Sequence, residues 1–512
     1  MFIDDKFIAS SEGIRLTANP PLRTDAINFP PLKDMALSGY LSVLEVDGSY
    51  RMYYHAAPIS NPARYTTCLS TSDDGVNWVH PNFGLYDVNG SNNVVLPHVD
   101  EGSVFIDPKE TDGCRFWWVG TASEGGPPPS WNESQGTFNG SDRNGNLEGG
   151  LYLFKSKDGI RWERKKEGVA LPFLCDTQNQ VFFDPRINEY VAYVRGWDLD
   201  SKSVNPAKLF DYPVLPARRF VARATTPSLD QLPFSFKQTP DYPRGSHGFY
   251  GLVLPENSTP VIEADSQDPP RTDVYTPCVN LYPWAADSYV AFPSFFRHYD
   301  GQNSYGRDHR GKYRNDGPLD SQLAVSRDGI LFHRYREPYI SLGLMEEHDV
   351  GGTLFTGVGL IKRGNFIYQY YTETPFTHNV PGENGSAEGV GGAWRSFHIR
   401  MASQRLDGFV SVDAGPDCGT LTTPSLIFEG NKLQLNIDCG AMGEAWVEIQ
   451  DEYSNPIEGY QLEQSVSLDR NGLAQDVWWR KGPDISQLAG RPIRLFIKLR
   501  SAKLYAFQFI RS

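Results

Sequence analysis

The chain has 512 residues, which is more than one hydrophobic core normally organises, since single cores stop growing at about 250–300 residues. Its formal net charge is −14 at pH 7, and no cluster of Lys and Arg offsets this charge. Nucleic-acid binding depends on such clusters, so we expect no nucleic-acid partner. We also expect no membrane partner, because no run of about 20 apolar residues is present.

The first residues carry neither a basic region nor an apolar stretch of the kind that opens a signal peptide. We therefore expect a cytoplasmic protein or a secreted protein in its mature form. Along the rest of the chain, short aromatic and β-branched runs alternate with Asp-Gly, Asn-Gly or Pro, as at 49–56, 114–120, 189–197 and 287–296. This pattern predicts an all-β fold.

A Ser-x-Asp-Gly motif, followed by Val or Ile and then an aromatic residue, occurs at 72–78, 156–162 and 326–332. Asp-Gly favours a tight turn, and the residues after it alternate like a half-buried strand. Degenerate copies at 226–234 and 403–411 complete a series of five. Five similar β units predict a five-bladed β-propeller, with one motif at the same corner of each blade.

A second pattern places acidic or amide residues just before short apolar strands, in segments 100–120, 176–197, 273–294 and 348–371. The first strand of each blade lines the central channel of a propeller. Polar residues at these strand starts should therefore converge on one axial pocket, where ligands usually bind.

The motif and the Phe-Asp-Pro turn at 183–185 resemble the five-bladed propeller glycosidases of glycoside hydrolase families 32, 43 and 68. Segments 176–196, 273–277 and 484–509 are most similar to family-32-like bacterial proteins. The resemblance implies a glycoside hydrolase or transglycosidase that needs no cofactor and acts on a carbohydrate, such as a furanoside-containing oligo- or polysaccharide. Cleavage of a glycosidic bond requires two carboxyl groups that flank it.

Position in the predicted channel selects the candidate residues. Each carboxylate could instead cap a strand or turn through backbone amides, and each His could be an ordinary core or surface residue. The acidic residues of the turns, Asp74, Asp158, Asp328, Asp107 and Asp184, are expected to be structural. The candidate catalytic residues are Asp176, Asp273, Asp349, Glu101 and Asp34, and the candidate substrate-binding residues are Arg195, Trp197, His247, His298 and His348.

The chain departs from family 32 because it lacks the Trp-x-Asn-Asp-Pro-Asn-Gly stretch that carries the nucleophile there; Asp34 is the acidic residue near the corresponding strand start. This departure favours an alternative function, a non-catalytic carbohydrate-binding propeller. The six cysteines show no zinc-ligand spacing, and no metal is expected. Cys418 and Cys439 are either a disulfide or two buried thiols.

From residue 412 onward the sequence alternates apolar and polar residues without the Asp-Gly motif. This alternation predicts an accessory β-sandwich. The predicted domains are therefore a catalytic propeller over 1–411 and a sandwich over 412–512.

Overall fold

The computed structural model describes residues 1–24, 27–60, 65–97, 99–122, 131–132, 137–138, 150–165, 170–171, 173, 175–198, 218–236, 253, 255, 257–299, 316–344, 351–378 and 397–511. Regular structure in these ranges is β-strand, apart from short 3₁₀ helices at Asp5–Phe7, Leu462–Gln464 and Ser486–Leu488. The prediction of an all-β fold is confirmed. No helix in the described part of the chain has the length and apolar character that a membrane-spanning helix needs.

The N-terminal strands are β1 (Ser10–Glu12), β2 (Ile14–Ala18) and β3 (Leu22–Thr24). After them, consecutive antiparallel strands form successive groups. The first group is β4 (Met35–Val46), β5 (Ser49–Pro58), β6 (Thr66–Ser72) and β7 (Val94–Pro97). The second is β8 (Val99–Ile106), β9 (Phe116–Ala122), β12 (Tyr152–Ser156) and β13 (Glu163–Arg164), and the short hairpin β10 (Trp131–Asn132) and β11 (Thr137–Phe138) lies between β9 and β12 in the chain.

The third group is β14 (Gln180–Asp184), β15 (Glu189–Asp198), β16 (Arg218–Thr226) and β17 (Thr259–Ile262). In the fourth group, two strand positions are interrupted, giving β18 (Thr272–Thr276), β19 (Val279–Leu281), β20 (Tyr289–Ala291), β21 (Ser294–Arg297), β22 (Leu319–Ser326) and β23 (Phe332–Ile340). The fifth is β24 (Thr353–Thr356), β25 (Ile361–Arg363), β26 (Phe366–Thr374) and β27 (His398–Arg405).

The N-terminal strand β3 completes the fifth group by pairing with β27, so that Arg23 lies opposite Ala402. Arg23 also donates hydrogen bonds to the Tyr371 hydroxyl at 2.9 Å and to the Glu373 carboxylate at 2.6 Å. A parallel strand pairing, Leu319 opposite Thr353, joins the sheets of the fourth and fifth groups.

The three full copies of the Ser-x-Asp-Gly motif fold alike. In the first, the Gly75 amide donates to Ser72 Oγ at 2.9 Å, and the amides of Val76 and Asn77 donate to Asp74 Oδ1 at 2.8 and 2.7 Å. The copies at Asp158 and Asp328 have the same bonds, and each copy directly follows the third strand of its group. The prediction that each copy forms the same corner of a unit is confirmed for these three.

Tyrosine hydroxyls link these corners to neighbouring groups. In each case the hydroxyl belongs to the second strand of one group, and it donates to the carbonyl of the motif glycine in the next group. The bonds run from Tyr53 to Gly159 at 3.0 Å, from Tyr193 to Gly329 at 2.8 Å and from Tyr370 to Gly75 at 2.6 Å. Because Tyr370 belongs to the fifth group and Gly75 to the first, the last bond joins the two ends of the series.

Apolar clusters fill the space between successive groups. Successive side chains of a strand point to opposite faces of its sheet, so each sheet can pack against a neighbour on both faces. The five clusters contain Tyr53 with Trp118 (first and second groups), Trp117 with Ala222 (second and third), Tyr193 with Tyr289 (third and fourth), Leu323 with Ile367 (fourth and fifth) and Tyr370 with Met52 (fifth and first). The groups thus contact one another in a closed series.

The C-terminal strands are β28 (Val410–Ala414), β29 (Gly419–Thr422), β30 (Lys432–Asp438), β31 (Glu444–Asp451), β32 (Asn471–Asp476), β33 (Ile493–Arg500) and β34 (Ala502–Ile510). They form two sheets, β1-β29-β33-β31 and β2-β28-β34-β30-β32, which share one apolar cluster. The N-terminal β1 and β2 thus belong to these sheets, and the predicted boundary after residue 411 falls inside β28. Cys418 and Cys439 are both free thiols.

Candidate functional site

Asp176 lies in the segment that leads into β14, where its carboxylate forms an ion pair with Arg195 of β15. Arg195 Nη1 donates to Asp176 Oδ1 at 2.6 Å, and Arg195 Nη2 donates to the Tyr275 carbonyl at 2.8 Å. The Arg195 side chain is fully buried, whereas 26% of the Asp176 side chain is exposed. Burial opposes the charge of Arg195, but the neighbouring Asp176 carboxylate outweighs this effect and the pKa of Arg195 is raised.

Asp273, on β18, forms the second ion pair of the site. Its Oδ2 atom accepts hydrogen bonds from Arg219 Nη1 at 2.9 Å and from His298 Nε2 at 3.1 Å, and only 1% of its side chain is exposed. Burial alone would raise the pKa of Asp273. The charges of Arg219 and His298 and their hydrogen bonds outweigh burial, so the pKa lies well below its ordinary value. This carboxylate stays ionised at neutral pH.

Aromatic rings hold the two guanidinium groups between them. Arg219 lies 4.7 Å from the Trp197 ring centroid, and Arg195 lies 4.4 Å from that of Tyr275. Trp197 is opposite Arg219 in the third group, and Arg219 also lies 5.3 Å from the Tyr275 ring centroid, so the two ion pairs share these aromatic neighbours. Cation–π contacts of this kind stabilise a desolvated charge.

Two histidines, His298 and His378, lie against the ring of Phe296. Its ring centroid lies 3.8 Å from that of His298 and 4.8 Å from that of His378. The His378 Nε2 atom and the Tyr275 hydroxyl form a hydrogen bond of 2.8 Å. Tyr275 and Phe296 also belong to a small apolar cluster with Tyr40, Leu319, Phe355 and Phe397, which brings together residues of the first, fourth and fifth groups.

Glu101 lies in a bulge of β8, where the pairing with β9 is interrupted between Asp100 and Ser103. Its backbone adopts a left-handed conformation, with φ of 58°, and Thr121 Oγ1 donates to its Oε2 atom at 3.1 Å. Burial raises the pKa of Cys175, and the charges of Asp176 and Glu101 contribute to the increase. The Asn179 amide donates to the Glu101 carbonyl at 2.9 Å, so the bulge that carries Glu101 is joined to the segment that carries Asp176.

The structure brings five of the predicted residues into one buried network: Asp176, Asp273, Arg195, Trp197 and His298. Glu101 is adjacent to this network through the 175–179 segment. Asp34 is exposed with φ of 53°, and its carbonyl accepts a hydrogen bond from the Ile59 amide at 3.1 Å. No contact between the Asp34 side chain and the network occurs in the described ranges. Asp349, His247 and His348 lie outside the described residues.

Sequence reasoning missed Arg219 and Tyr275. Both had a detectable signal: Arg219 is a charged residue within an apolar strand pattern, and Tyr275 shares a strand face with Asp273 by alternation. The acidic residues that were predicted to be structural accept hydrogen bonds in their turns. For example, Asp184 accepts a hydrogen bond from the Arg186 amide at 2.9 Å within its own turn.

The described residues include no group of three or more His, Cys, Asp or Glu side chains that could hold a metal ion. The chemical capacity of the described site resides in two carboxylates open to solvent, a third carboxylate fixed by ion pairs, and imidazole and guanidinium donors around them.

No protein-family model matches the chain, and no curated protein matches it. Among solved structures, the chain is similar to a glycosyl hydrolase from Bacteroides ovatus, with 12% identity, a TM-score of 0.44 and coverage of 76% of this chain and 94% of that one. It is similar to an N-acetylgalactosamine deacetylase from F. plautii solved with blood group B trisaccharide, with 11% identity, a TM-score of 0.43 and coverage of 76% and 96%.

A third similar structure is a glycoside hydrolase family 43 arabinoxylan arabinofuranohydrolase from Bacillus subtilis solved with cellotetraose, with 12% identity, a TM-score of 0.37 and coverage of 96% and 99%. At these identities and TM-scores, the similarity establishes neither a reaction nor a substrate for this chain. Its function has to be argued from its own residues.

Proposed function

We propose that the chain is a glycosidase whose five strand groups are the blades of a β-propeller, with an accessory β-sandwich formed by the strands from β28 onward together with β1 and β2. Two features support the propeller: the closed series of inter-group clusters and the hydrogen bond from Tyr370 to Gly75 that joins the last group to the first. Two sheets around one apolar cluster support the sandwich. In this arrangement the starts of the inner strands meet at one end of the ring.

Asp176 and Glu101 are the proposed catalytic pair. The single observation that carries this assignment is the exposure of Asp176: it is the one carboxylate of the two ion pairs that reaches solvent, and its Oδ2 atom makes no hydrogen bond to a described residue. A carboxylate that attacks a sugar, or activates water, must present an unoccupied oxygen to the ligand. Glu101, which is partly exposed and whose carbonyl accepts hydrogen bonds from Asn179, supplies the second carboxyl group.

Asp273 has a different proposed role. It is ionised, its Oδ2 atom is held by Arg219 and His298, and its Oδ1 atom is buried, so it cannot exchange protons readily with a substrate. Its charge instead holds Arg219 and His298 in place. Arg195 similarly fixes the orientation of Asp176. Preorganised charges of this kind stabilise developing charge in a transition state without reorganising.

The predicted substrate stays a furanoside-containing oligo- or polysaccharide. The test is hydrolysis of a panel of aryl furanosides and pyranosides, fructans, arabinans and galactans by the wild-type protein and by Asp176→Asn and Glu101→Gln. We expect wild type to cleave at least one substrate and each variant to lose about 10³-fold in kcat/KM, which is typical for removal of a catalytic acid, base or nucleophile. Circular dichroism checks that the variants fold.

Asp158→Asn is the matched control, because Asp158 is an acidic residue whose Oδ1 accepts amide hydrogen bonds in a turn, and Asn can accept them too. It should retain full activity. Full activity in folded Asp176→Asn would contradict the assignment. The anomer of the first product, read by NMR, then reports the mechanism, because retention requires carboxyl groups about 5–5.5 Å apart and inversion about 6.5–9.5 Å.

A non-catalytic carbohydrate-binding protein is the second candidate. It is favoured by the occupation of Asp273 by Arg219 and His298, since a fixed carboxylate of this kind serves a binding site as well as a catalytic one. On this reading, wild type binds a sugar of the panel in calorimetry but cleaves none of them.

A further inference from the structure

Asn179 occupies the junction between the two proposed catalytic carboxylates. It is fully buried in the segment before β14. Its side-chain Nδ2 atom lies 3.0 Å from the Glu101 carbonyl, 2.7 Å from the Cys175 carbonyl and 2.7 Å from the Thr177 carbonyl. One amide group thus donates toward the backbone of Glu101 and toward the residues on both sides of Asp176.

The backbone of Asn179 adds two further links to the second strand group. Its amide donates to the Glu101 carbonyl at 2.9 Å, and its carbonyl accepts a hydrogen bond from Ser103 Oγ at 2.8 Å. The Glu101 bulge of one group and the Asp176 segment of the next are therefore tied together through a single residue.

The bulge needs this support. Glu101 has φ of 58°, a conformation that costs non-glycine residues free energy because Cβ approaches the following carbonyl. Such conformations persist where the surroundings over-determine them, and they cluster at functional sites. The two hydrogen bonds from Asn179 to the Glu101 carbonyl hold the bulge in the conformation that presents the Glu101 side chain.

We propose that Asn179 is a positioning residue that sets the separation between the Glu101 and Asp176 carboxyl groups. This inference rests on the proposed function, because it assumes that these two carboxylates act as a pair. The three carbonyls require a side-chain donor at this position. Aspartate would place acceptor oxygens against three carbonyls, and leucine would leave those carbonyls without the donor.

The test compares Asn179→Ala with Gln180→Ala as a matched control. Gln180 is the next residue, is equally buried, and also links two strand groups through its amide, at 3.0 Å to the Val279 carbonyl and 2.7 Å from the Val279 amide. It contacts neither proposed catalytic carboxylate segment. Both variants lose buried hydrogen bonds between strand groups. Only Asn179→Ala loses hydrogen bonds to the backbone of Glu101 and to the residues beside Asp176.

We expect Asn179→Ala to lower kcat by about 10²-fold with little change in KM, since misplacing a reacting group by about 1 Å costs this much. The pH profile of kcat/KM should also change, because two neighbouring carboxyl groups titrate as a pair whose apparent pKa values depend on their separation. Gln180→Ala should lower thermal stability and leave kcat per folded protein and the pH profile as in wild type.

Ser103→Ala provides a milder second variant, since it removes one hydrogen bond to the Asn179 carbonyl. It should reduce kcat in the same direction by a few-fold, which keeps the test decisive if Asn179→Ala does not fold. Unchanged kcat and pH profile in folded Asn179→Ala or in Ser103→Ala, with Asp176→Asn and Glu101→Gln inactive, would overturn the positioning role alone. A wild-type protein that cleaves no substrate overturns the catalytic pair and this inference with it.

Discussion

Asp176 and Asp273 belong to consecutive strand groups, stand at or just before the first strand of their groups, and each pairs with an arginine. In both carboxylates one oxygen lacks a described hydrogen-bond partner, but their exposure differs. Asp176 is 26% exposed, whereas Asp273 is 1% exposed and its unpartnered Oδ1 atom is buried. Equivalent positions in a repeated architecture therefore carry carboxylates of opposite kinds. One can meet a ligand, and the other organises the residues around it.

The difference follows from which neighbours supply the cations. Arg195 is fully buried and reaches Asp176 from within the same group, and the Asp176 carboxylate itself is 26% exposed. Arg219 reaches Asp273 across the boundary between the third and fourth groups, where aromatic rings exclude water from both. A charge in such a place is stable only while its partner is present.

The largest expected effect is on stability. Asp273→Ala should lower the free energy of unfolding by about 3–5 kcal/mol, because it leaves the Arg219 guanidinium buried without its counter-ion. Asp176→Ala should cost less, because the Asp176 carboxylate is 26% exposed and water can enter the space that it leaves beside the buried Arg195 guanidinium. Urea denaturation of both variants at one pH measures the difference. Equal losses in the free energy of unfolding would show that the exposure of Asp176 makes no energetic difference between the two ion pairs.

The second expected effect is on the acid sensitivity of the fold. The pKa of Asp273 is depressed in the folded state, so its contribution to stability is fully present above the unfolded-state pKa of about 3.9 and is lost as pH falls toward the folded value. Wild type should therefore lose stability steeply as pH drops from about 4 to about 2. Asp273→Asn, which has no charge to lose, should show a shallower slope over this interval. Parallel slopes in urea titrations across this range would rule out Asp273 as a source of the acid sensitivity.

Local features of the chain were predictable because their physics is local. The turn at Asp74 depends on Ser72, Gly75 and the two amides that follow, all within six residues. The Ser-x-Asp-Gly spacing therefore predicts the corner wherever it occurs. Likewise, apolar alternation was sufficient to predict an all-β fold.

The arrangement of the site depends on contacts between groups, which spacing along the chain does not encode. Arg219 was missed because its partner Asp273 is 54 residues away in the next group. Asn179 reads as one polar residue in a loop, although it joins two groups. The sequence predicts Asp34 near the channel. In the structure, β4 is irregular between Leu37 and Leu41, and it is Tyr40 from this interval that joins the apolar cluster of Tyr275 and Phe296.

The smallest expected effect concerns the strain at Glu101. Replacing this residue removes the same carboxyl group in Glu101→Gly and Glu101→Ala, but only glycine adopts φ of 58° without cost. Glu101→Gly should therefore be the more stable variant by about 1 kcal/mol, even though glycine is the more flexible residue in the unfolded chain. Both variants should be inactive if Glu101 belongs to the catalytic pair.

Asn188 provides the control, because it has φ of 56° in an exposed turn between β14 and β15, away from the site. Asn188→Gly and Asn188→Ala should differ in stability in the same direction, while both retain the activity of wild type. If glycine and alanine were equally stable at 101, the bulge would relax on substitution and Asn179 would have no strained conformation to hold. If Glu101→Gly is more stable than Glu101→Ala but both are inactive, and Asn188→Gly is more stable than Asn188→Ala but both are active, the strain at Glu101 is maintained for the side chain that it presents.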